Sequence, residues 1–463
     1  MEAVSRIGFG LFGLAVLVAI AWVFSNNRRR VDWRLVAIGL VLQLVVAATV
    51  LLTSWGASVF DVLSSGFVKL LGFTTQGASF IFGDFSDPEK FGFVFAFQVL
   101  PTIIFFASFM SVLYHLGVMQ KVVQGMAWVI TKAMRVSGAE TLSVCANAFI
   151  GQTEAPLVVR PYIARMTQSE LLTLMVGGMA TIAGGVLGAY VLMLGGSDPA
   201  QQAFYAKHLI TASIMAAPAT LVIAKILVPE TETPDTLGVV RVKVEKTTAN
   251  VIDAAAAGAS DGLKLALNVG AMLLAFVALI AMVNGVLGYA WSSHLMLPYG
   301  YDADTGWKIH HLASAQDIWA TLTGHRVELS MQTLLGSVLA PLAWIIGVPW
   351  ADANTVGGLI GTKVVLNEFV AYKELGEITQ GNVPGVVLSD QARLIATYAL
   401  CGFANFSSIA IQIGGIGGLA PERRADLAKF GLRAVLGGSI ATMMTATIAG
   451  VMWHFSGGLP SLP

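Results

Sequence analysis

Eight stretches of this sequence are apolar and long enough to cross the roughly 30 Å of hydrocarbon in a lipid bilayer. They are Ile7–Phe24, Leu35–Ser54, Phe93–Leu116, Leu171–Leu194, Leu209–Pro229, Leu265–Trp291, Gln391–Leu419 and Phe430–Trp453. Only 12% of the residues are charged and 56% are hydrophobic, whereas soluble domains carry roughly 25% charged residues. Such a chain cannot hide its apolar surface from water. We therefore predict an all-α polytopic membrane protein with eight transmembrane helices.

The distribution of positive charge predicts how these spans are oriented, because Lys and Arg concentrate in cytoplasmic loops. With both termini outside, most of the 27 Lys and Arg residues lie on the cytoplasmic side, including Arg28–Arg30. Ile7–Phe24 has no small-residue cleavage site and runs into this basic flank, so we expect a span rather than a cleaved signal peptide. The formal net charge of +0 argues against nucleic acid as a partner.

Two polar stretches lie within regions that hydropathy assigns to the membrane. The first is N-A-F-I-G-Q-T-E-A-P, at Asn147–Pro156, and the second is N-E-F, at Asn367–Phe369. Each contains an amide and a carboxylate at a depth where an ionisable residue costs about 2.5–3.5 kcal/mol on insertion scales. Gly151 and Pro156 also favour a backbone break in the first stretch. A functional role is the expected explanation; the alternative is a pair of short turns outside the membrane.

The order of elements around these stretches predicts an inverted repeat. Phe93–Leu116 precedes an amphipathic helix at Lys121–Met134, the first polar stretch and two spans. Leu265–Trp291 precedes a comparable helix at Met331–Trp344, the second polar stretch and two spans. Because each half has an odd number of crossings, the second copy is inverted. We predict that the polar stretches are the tips of two re-entrant helical hairpins and that the amphipathic helices lie at the membrane interface.

This organisation divides the chain into four parts. They are N-terminal scaffold spans (1–92), a first repeat (93–228), a cytoplasmic loop and helix start (229–263), and a second, inverted repeat (264–463). We expect the long outer loop, 292–328, to be solvated despite its four histidines, because adjacent His310 and His311 cannot place both rings on one face. Thr167–Glu170 has the pattern of a capping box at a helix start.

The spans that follow the hairpins contain residues typical of broken helices. In Ala180–Gly188 the glycines are consistent equally with unwinding and with close helix packing. Asn405 beside Ser407 and Ser408 is a better indication of a site, since an amide inside a membrane needs hydrogen-bond partners.

Five motifs in matching order resemble the concentrative nucleoside transporter family. They are G-Q-T-E-A-P (Gly151–Pro156), A-N-V-I-D-A-A-A-A-G-A-S-D-G-L-K-L-A-L-N-V (Ala249–Val269), P-L-A-W-I-I-G-V-P (Pro341–Pro349), L-N-E-F-V-A-Y (Leu366–Tyr372) and Y-A-L-C-G-F-A-N-F-S-S-I (Tyr398–Ile409). The resemblance covers most of the chain from about Phe93. It implies a multi-pass protein of the bacterial inner (plasma) membrane, assembled as a homotrimer, that imports nucleosides such as uridine by alternating access.

The resemblance also implies which residues contact the nucleoside. They are Gln152, Thr153 and Glu154 on the base side, Glu368, Asn405 and Ser408 at the ribose hydroxyls, and Val186 and Phe403 against the apolar faces. Glu154 would lie nearby or act through water. The chemistry is consistent with this, because a base edge needs amides, a sugar hydroxyl needs an acceptor-only carboxylate, and a flat ring needs an apolar or aromatic neighbour.

Cation coupling is a further implication of the resemblance, with sodium favoured and no other cofactor. The ion would be held by the side chains of Asn147 and Thr181 and by the carbonyls of Ile150 and Ile182. A hard cation prefers such oxygen ligands, and broken helices offer uncapped carbonyls. Proton coupling through Glu154 or Glu368 is the alternative.

Two other classes of protein fit this sequence less well. A cation channel with acidic selectivity elements is disfavoured because the two polar stretches differ and form no symmetric ring. An intramembrane enzyme is disfavoured because no nucleophile motif, metal constellation or phosphate-binding loop accompanies the two glutamates.

Overall fold

The computed structural model describes residues 2–238, 248–293, 296–302, 306–311, 314, 316 and 329–455 of the 463. Most of them are helical. The α-helices are α1 (Glu2–Val23), α2 (Trp33–Leu52), α3 (Ser54–Phe82), α4 (Pro88–Phe91), α5 (Phe95–His115), α6 (Val118–Met134), α7 (Gly138–Asn147), α8 (Ala155–Val158), α9 (Arg160–Ile163), α10 (Gln168–Ala180), α11 (Gly184–Gly195), α12 (Pro199–Leu227), α13 (Val251–Ser292), α14 (Met331–Ile345), α15 (Trp350–Val365), α16 (Glu368–Thr379), α17 (Asp390–Ala399), α18 (Phe406–Leu419) and α19 (Arg424–Trp453). Short 3-10 helices cover Arg28–Arg30, Gly83–Ser86 and Pro421–Arg423.

The polytopic helical architecture is confirmed, but the set of spans differs from the prediction. Among the described residues, eight helical segments are long and apolar enough to cross a bilayer. One of them, Ser54–Ser86, was not predicted, because its polar residues lower its mean hydropathy to 1.3, against 2.7 for Trp33–Leu52. The predicted span Gln391–Leu419 contains the break that its sequence indicated, since α17 ends at Ala399 and α18 begins at Phe406.

Helix α13 is continuous over 42 residues, so the predicted boundary between residues 263 and 264 falls inside it. Glycines let it pack closely on α5. A Cβ at Gly258 would lie 2.7 Å from the Ala107 carbonyl oxygen, and one at Gly262 would lie 2.8 Å from the Ile104 Cα. The first spans of the two repeats therefore pair directly. The division of the chain into four parts stays a prediction.

The predicted cytoplasmic loop and the predicted outer loop are only partly described. Residues 239–247 of the cytoplasmic loop lie outside the described residues, as do His294 and His325 of the outer loop. Within the outer loop, β1 (Met296–Asp302) and β2 (Gly306–His311) pair as an antiparallel ribbon. This short ribbon lies in the extramembrane segment between α13 and α14, so it does not alter the helical class of the membrane domain.

The first hairpin, α7 to α9, begins and ends near the same end of the molecule. The hydroxyl of Ser137, which precedes α7, lies 2.7 Å from the hydroxyl of Thr236. Beyond α9, the Met166 carbonyl accepts a hydrogen bond from Arg423 at 2.6 Å. The chain then enters α10 through a capping box of Thr167 and Glu170, as the sequence predicted.

The second hairpin, α15 and α16, has the same form. Helix α14 meets α15 at a bend of 117°, which is compatible with the predicted interfacial position of Met331–Trp344. Asn367 caps α16 by accepting a hydrogen bond from Val370 N at 3.0 Å. At the far end of α16, Gln380 donates to the Met193 carbonyl of α11 at 2.9 Å. That the hairpins re-enter the bilayer stays a prediction, since no membrane is present.

Two helix breaks cross at the centre of the fold. One separates α10 from α11 and the other separates α17 from α18. A Cβ at Gly402, in the second break, would lie 2.6 Å from the Met179 carbonyl oxygen and 2.9 Å from the Ala180 carbonyl carbon in the first. Only glycine permits this approach without displacing backbone, so the broken parts of the two repeats are in direct contact.

A buried ionic cluster anchors the base of the first hairpin. Lys225 Nζ of α12 lies 2.9 Å from Glu140 Oε2 of α7 and 3.1 Å from Glu230 Oε2. It also donates to Ser169 Oγ at 3.0 Å. The Glu140 side chain is 0% exposed, so its charge depends on this lysine for compensation.

We predict that Lys225→Met destabilises the folded protein, because it leaves the Glu140 carboxylate buried without a cation. Removing one partner of a buried ion pair lowers the free energy of unfolding by about 3–5 kcal/mol. Thermal unfolding in detergent measures this. The matched control is Lys264→Met, since the Lys264–Asp261 pair is solvent-exposed on both sides (72% and 73%). Equal unfolding midpoints for the two variants would contradict the assigned role.

Candidate functional site

The second hairpin and the two broken spans meet around the carboxylate of Glu368. Tyr190 of α11 donates its hydroxyl to Glu368 Oε1 at 3.0 Å, and Asn405 donates Nδ2 to Glu368 Oε2 at 3.0 Å. Glu368 is 3% exposed. The carboxylate is thus buried, with one hydrogen-bond donor on each oxygen, and it joins the second hairpin to both broken spans.

Local sequence explains the position of this carboxylate. Asn367 is extended and caps the helix, so Glu368 becomes the first residue of α16. A carboxylate in the first turn of a helix is stabilised by the unpaired N–H groups there. Asn405 acts in the same way at α18, where its Oδ1 accepts from Ser408 N at 2.9 Å. Two asparagine caps therefore bring two helix N-termini together around Glu368.

A second polar group joins the first hairpin to α18. Gln152 donates Nε2 to Ser408 Oγ at 3.1 Å. Gln412 donates to Gln152 Oε1 and to the Met175 carbonyl, both at 3.0 Å. The missing side chain of Gly178 makes the space, because a Cβ there would lie 2.7 Å from Gln412 Nε2. The Gln152 amide is therefore held in a defined orientation.

Helix α18 and the residue that precedes it contact both hairpins. Ser408, Gln412 and Gly415 follow helical spacing, and Thr153 of the first hairpin packs on Gly415, whose Cβ would lie 3.1 Å from Thr153 Cγ2. Asn405, immediately before the helix, contacts the second hairpin. One short helix thus links the two polar stretches that the sequence singled out.

The remaining nucleoside-contact candidates lie in different surroundings. Val186 is buried in the first turn of α11, and Phe403 is half-buried in the second break. Glu154 is exposed, with its side chain folded back over Gly151. The hydrogen-bonded group around Glu368, as far as the structure describes it, does not include Glu154.

Two members of the site were not predicted from sequence. Gln412 carried a usable signal, since it is an amide one turn after Ser408 in an apolar helix, and it is completely buried. Nothing in the sequence singled out Tyr190, because a tyrosine in an apolar run is typical of core packing. Its ring does stack on Tyr372, with centroids 4.5 Å apart, while its hydroxyl serves Glu368.

The residues proposed to hold a cation meet beside the first tip. Both polar atoms of the Asn147 side chain are buried without a hydrogen-bond partner. Thr181 Oγ1 donates to the Gly177 carbonyl at 2.9 Å, and a Cβ on Gly177 would lie 3.6 Å from Asn147 Nδ2. Asn147 and Thr181 are therefore neighbours across α7 and α10, and Asn147 lacks the partner that a buried amide needs.

The C-terminal ends of two helices lie at this candidate cation site. Asn147 is the last residue of α7 and Thr181 follows the last residue of α10, so the negative ends of two helix dipoles converge there. The segments that follow these two helix ends are joined by a hydrogen bond from Gly184 N to the Phe149 carbonyl at 2.9 Å. Within the described part of the chain, no three His, Cys, Asp or Glu residues cluster as metal ligands. The available donors are neutral oxygens, which fit a monovalent hard cation.

Three family models match this chain along its length. The model described as Na+ dependent nucleoside transporter C-terminus matches residues 208–450. The corresponding N-terminus model matches residues 12–85, and a model described as nucleoside recognition matches residues 96–197. The last of these includes the first hairpin and the first helix break.

Similar curated proteins come from bacteria and mammals. An uncharacterized transporter of Haemophilus influenzae is 43% identical, over 95% of this chain and 96% of its own length. Nucleoside permease NupC of Helicobacter pylori is 39% identical, over 96% and 97%. Sodium/nucleoside cotransporter 1 of Rattus norvegicus is 40% identical over 95% of this chain, which spans 63% of the rat protein.

Solved structures of CNTnw have the same fold. CNTnw in an inward-facing, substrate-bound state is 42% identical and superposes with a TM-score of 0.82, covering 98% of this chain and 99% of that one. A double variant of CNTnw in an outward-facing state gives a TM-score of 0.83 at 41% identity, over 98% and 99%. With this fold, these relatives and a matching model over more than half of its residues, the chain belongs to the Na+ dependent nucleoside transporter family.

Proposed function

We propose that this protein imports nucleosides by sodium symport with alternating access, and that the group around Glu368 binds the substrate. The observation that carries the proposal is the joining of Glu368, Asn405, Ser408 and Gln152 into one polar group. These four residues come from two hairpins and a broken span, so a ligand among them is sensitive to the relative movement of all three.

The proposed substrate contacts follow from the chemistry of each side chain. Glu368 is acceptor-only when ionised, so it binds the hydroxyl donors of a ribose, while Asn405 and Ser408 supply further donors and acceptors. Gln152, oriented by Gln412, and Thr153 face the base. Val186 and Phe403 pack on the apolar surfaces of the nucleoside. Glu154, being exposed, contributes at most through water.

The proposed sodium ligands are the side chains of Asn147 and Thr181 and the carbonyls of Ile150 and Ile182. The unpaired Asn147 amide oxygen and the converging helix ends support this choice. The ion would supply a positive charge that holds the first hairpin against α10. Proton coupling is the second candidate, since Glu368 is the buried carboxylate of the substrate site.

The same proposal includes the membrane location, the topology and the oligomeric state of the transporter. We place it in the bacterial inner membrane with both termini outside, as a homotrimer. Apolar side chains project from α13, with Leu274 77% and Val286 65% exposed, as expected for a helix that faces lipid or neighbouring protomers. Each protomer carries its own complete polar group, so each provides its own path.

Uptake of labelled uridine into proteoliposomes tests the proposal. An inward sodium gradient should drive accumulation, and an inside-negative potential of 100 mV should add about 2.3 kcal/mol per imported charge, or ~50-fold in accumulation. A pH gradient without sodium is the control for proton coupling. Uptake that responds to neither gradient would contradict symport.

Glu368→Gln should abolish uridine uptake while folded protein persists in the membrane, because the amide presents a donor where the ribose offers donors. In binding assays, the wild type should reject 2′-deoxyuridine and 3′-deoxyuridine strongly, since they leave buried polar groups unpaired. The variant should lose that discrimination. Glu374→Gln, on the same helix, is the control. Unchanged uridine affinity in Glu368→Gln would refute the ribose assignment.

Thr181→Val should raise the sodium concentration needed for half-maximal uptake by about 10-fold, the effect of losing one oxygen ligand worth about 1.4 kcal/mol. Thr173→Val is a closely matched control, because Thr173 is also buried in α10 and its hydroxyl also donates to the carbonyl four residues earlier, at 2.9 Å. The sodium site would be misplaced should both variants shift the sodium dependence equally.

Gln152→Ala should change the preference between uridine and adenosine by roughly 10-fold, since a well-placed hydrogen bond to the base contributes about 0.5–1.5 kcal/mol. Competition of labelled uridine by each nucleoside measures this. Gln120→Ala, which removes an amide of α6 that donates to the Tyr114 carbonyl of α5, is the control. A uniform loss of affinity for all nucleosides would argue against base recognition.

A further inference from the structure

Lys363 is a buried cation that the proposed mechanism leaves unused. It lies in the last turn of α15, in the second hairpin, and is 1% exposed. Its Nζ donates to the Ala399 carbonyl at 2.9 Å and to Thr442 Oγ1 at 3.1 Å. Within the described part of the chain it forms no ion pair with a carboxylate. A buried charge without an ion pair needs another source of compensation.

Helix ends supply that compensation. Ala399 is the last residue of α17, immediately before the second break, so its carbonyl belongs to the negative end of a helix dipole. Lys363 itself stands at the negative end of α15. The ammonium group therefore lies where the C-terminal ends of a hairpin helix and a broken span converge.

In the first repeat two helix ends converge in the same way, but the residue there is Asn147, which carries no charge. There the hairpin helix α7 ends at Asn147 and the broken span α10 ends just before Thr181. The positions correspond in the order of elements: α7 matches α15, and α10 matches α17. In the first repeat the convergent ends hold an unpaired amide, and in the second they hold a lysine.

We propose that the Lys363 ammonium is a tethered cation, which does permanently for the second hairpin what the coupling ion does reversibly for the first. It binds the carbonyl end of α17 and so holds the second hairpin, with Glu368 at its tip, against the second break. One consequence is a stoichiometry of one sodium per nucleoside, because the second of the two related positions is already filled. This inference rests on the sodium site of the proposed function.

The proposal predicts opposite behaviour for two uncharged replacements. Lys363→Met keeps the volume but removes the charge, and should weaken uridine binding by at least ~10-fold, as expected for the loss of two hydrogen bonds from a charged donor. Lys363→Asn places a neutral oxygen there, as Asn147 does in the first repeat. It should bind uridine well only at high sodium, with the Hill coefficient for sodium rising from one towards two.

Isothermal titration of purified protein with uridine, over a series of sodium concentrations balanced with choline, measures both effects. Thr442→Val is the matched control, because it removes one partner of the ammonium but leaves the charge and the bond to Ala399; its affinity should stay within about threefold of the wild type. Thermal unfolding without nucleoside gives a second readout, in which sodium should stabilise Lys363→Asn more than the wild type.

Wild-type affinity in Lys363→Met, or identical sodium dependence in the Met and Asn variants, would overturn the inference. Should Lys363→Met fail to fold, a folded, uridine-binding Lys363→Arg supports a role for charge, and failure of Met, Asn and Arg variants alike counts against it. Wild-type protein that binds no uridine overturns the proposed function instead. The sodium-dependent stability of Lys363→Asn then still decides whether a cation is needed at this position.

Discussion

The carbonyl ends of broken helices, buried where no water can satisfy them, are the constraint on which this fold depends. Each break exposes backbone groups that would cost several kcal/mol in an apolar environment. The structure satisfies them with the other repeat and with the hairpin tips. Gly184 N bonds the Phe149 carbonyl of the first tip, and the Ala399 carbonyl accepts from Lys363 of the second hairpin. The hairpins therefore supply hydrogen-bond partners for backbone groups at the helix breaks.

The same dependence supports the proposed coupling of binding to movement. The polar groups proposed to hold a nucleoside are the groups that connect the two hairpins to the broken spans. Glu368 is joined to Tyr190 of one broken span and to Asn405 of the other, while Gln152 is joined to Ser408. A ligand that replaces or tightens these bonds changes the relative stability of different hairpin positions, which is what a population shift between access states requires. The inward-facing and outward-facing CNTnw structures have the same fold as this chain.

The ends of the molecule contrast with this centre. At the base of the first hairpin, Lys225 bridges Glu140 and Glu230 and fixes the position of α7. At the base of the second, Asp352 accepts from Ser389 N at 3.3 Å as well as from the Ser389 hydroxyl. Each hairpin is thus anchored at its base and held by hydrogen bonds at its tip.

Hydropathy and motif order were enough to determine the class of the protein, because the cost of exposing apolar helices leaves a chain of this composition no soluble fold. The same reasoning located both polar stretches and the capping box at Thr167, while the inversion of the second repeat stays a prediction. It failed at α3, where scattered polar residues lower the mean hydropathy of a long helix.

Tertiary structure alone decided which polar residues meet. Gln412 and Tyr190 joined the site through contacts across more than 170 positions of sequence, whereas Glu154, beside two candidate residues, is exposed. Lys363 reads in the sequence as an ordinary lysine near a helix end, and only the approach of α17 gives it a buried carbonyl to bind. Sequence determines which groups must find partners in the membrane, and the crossing of the two repeats determines which partners they find.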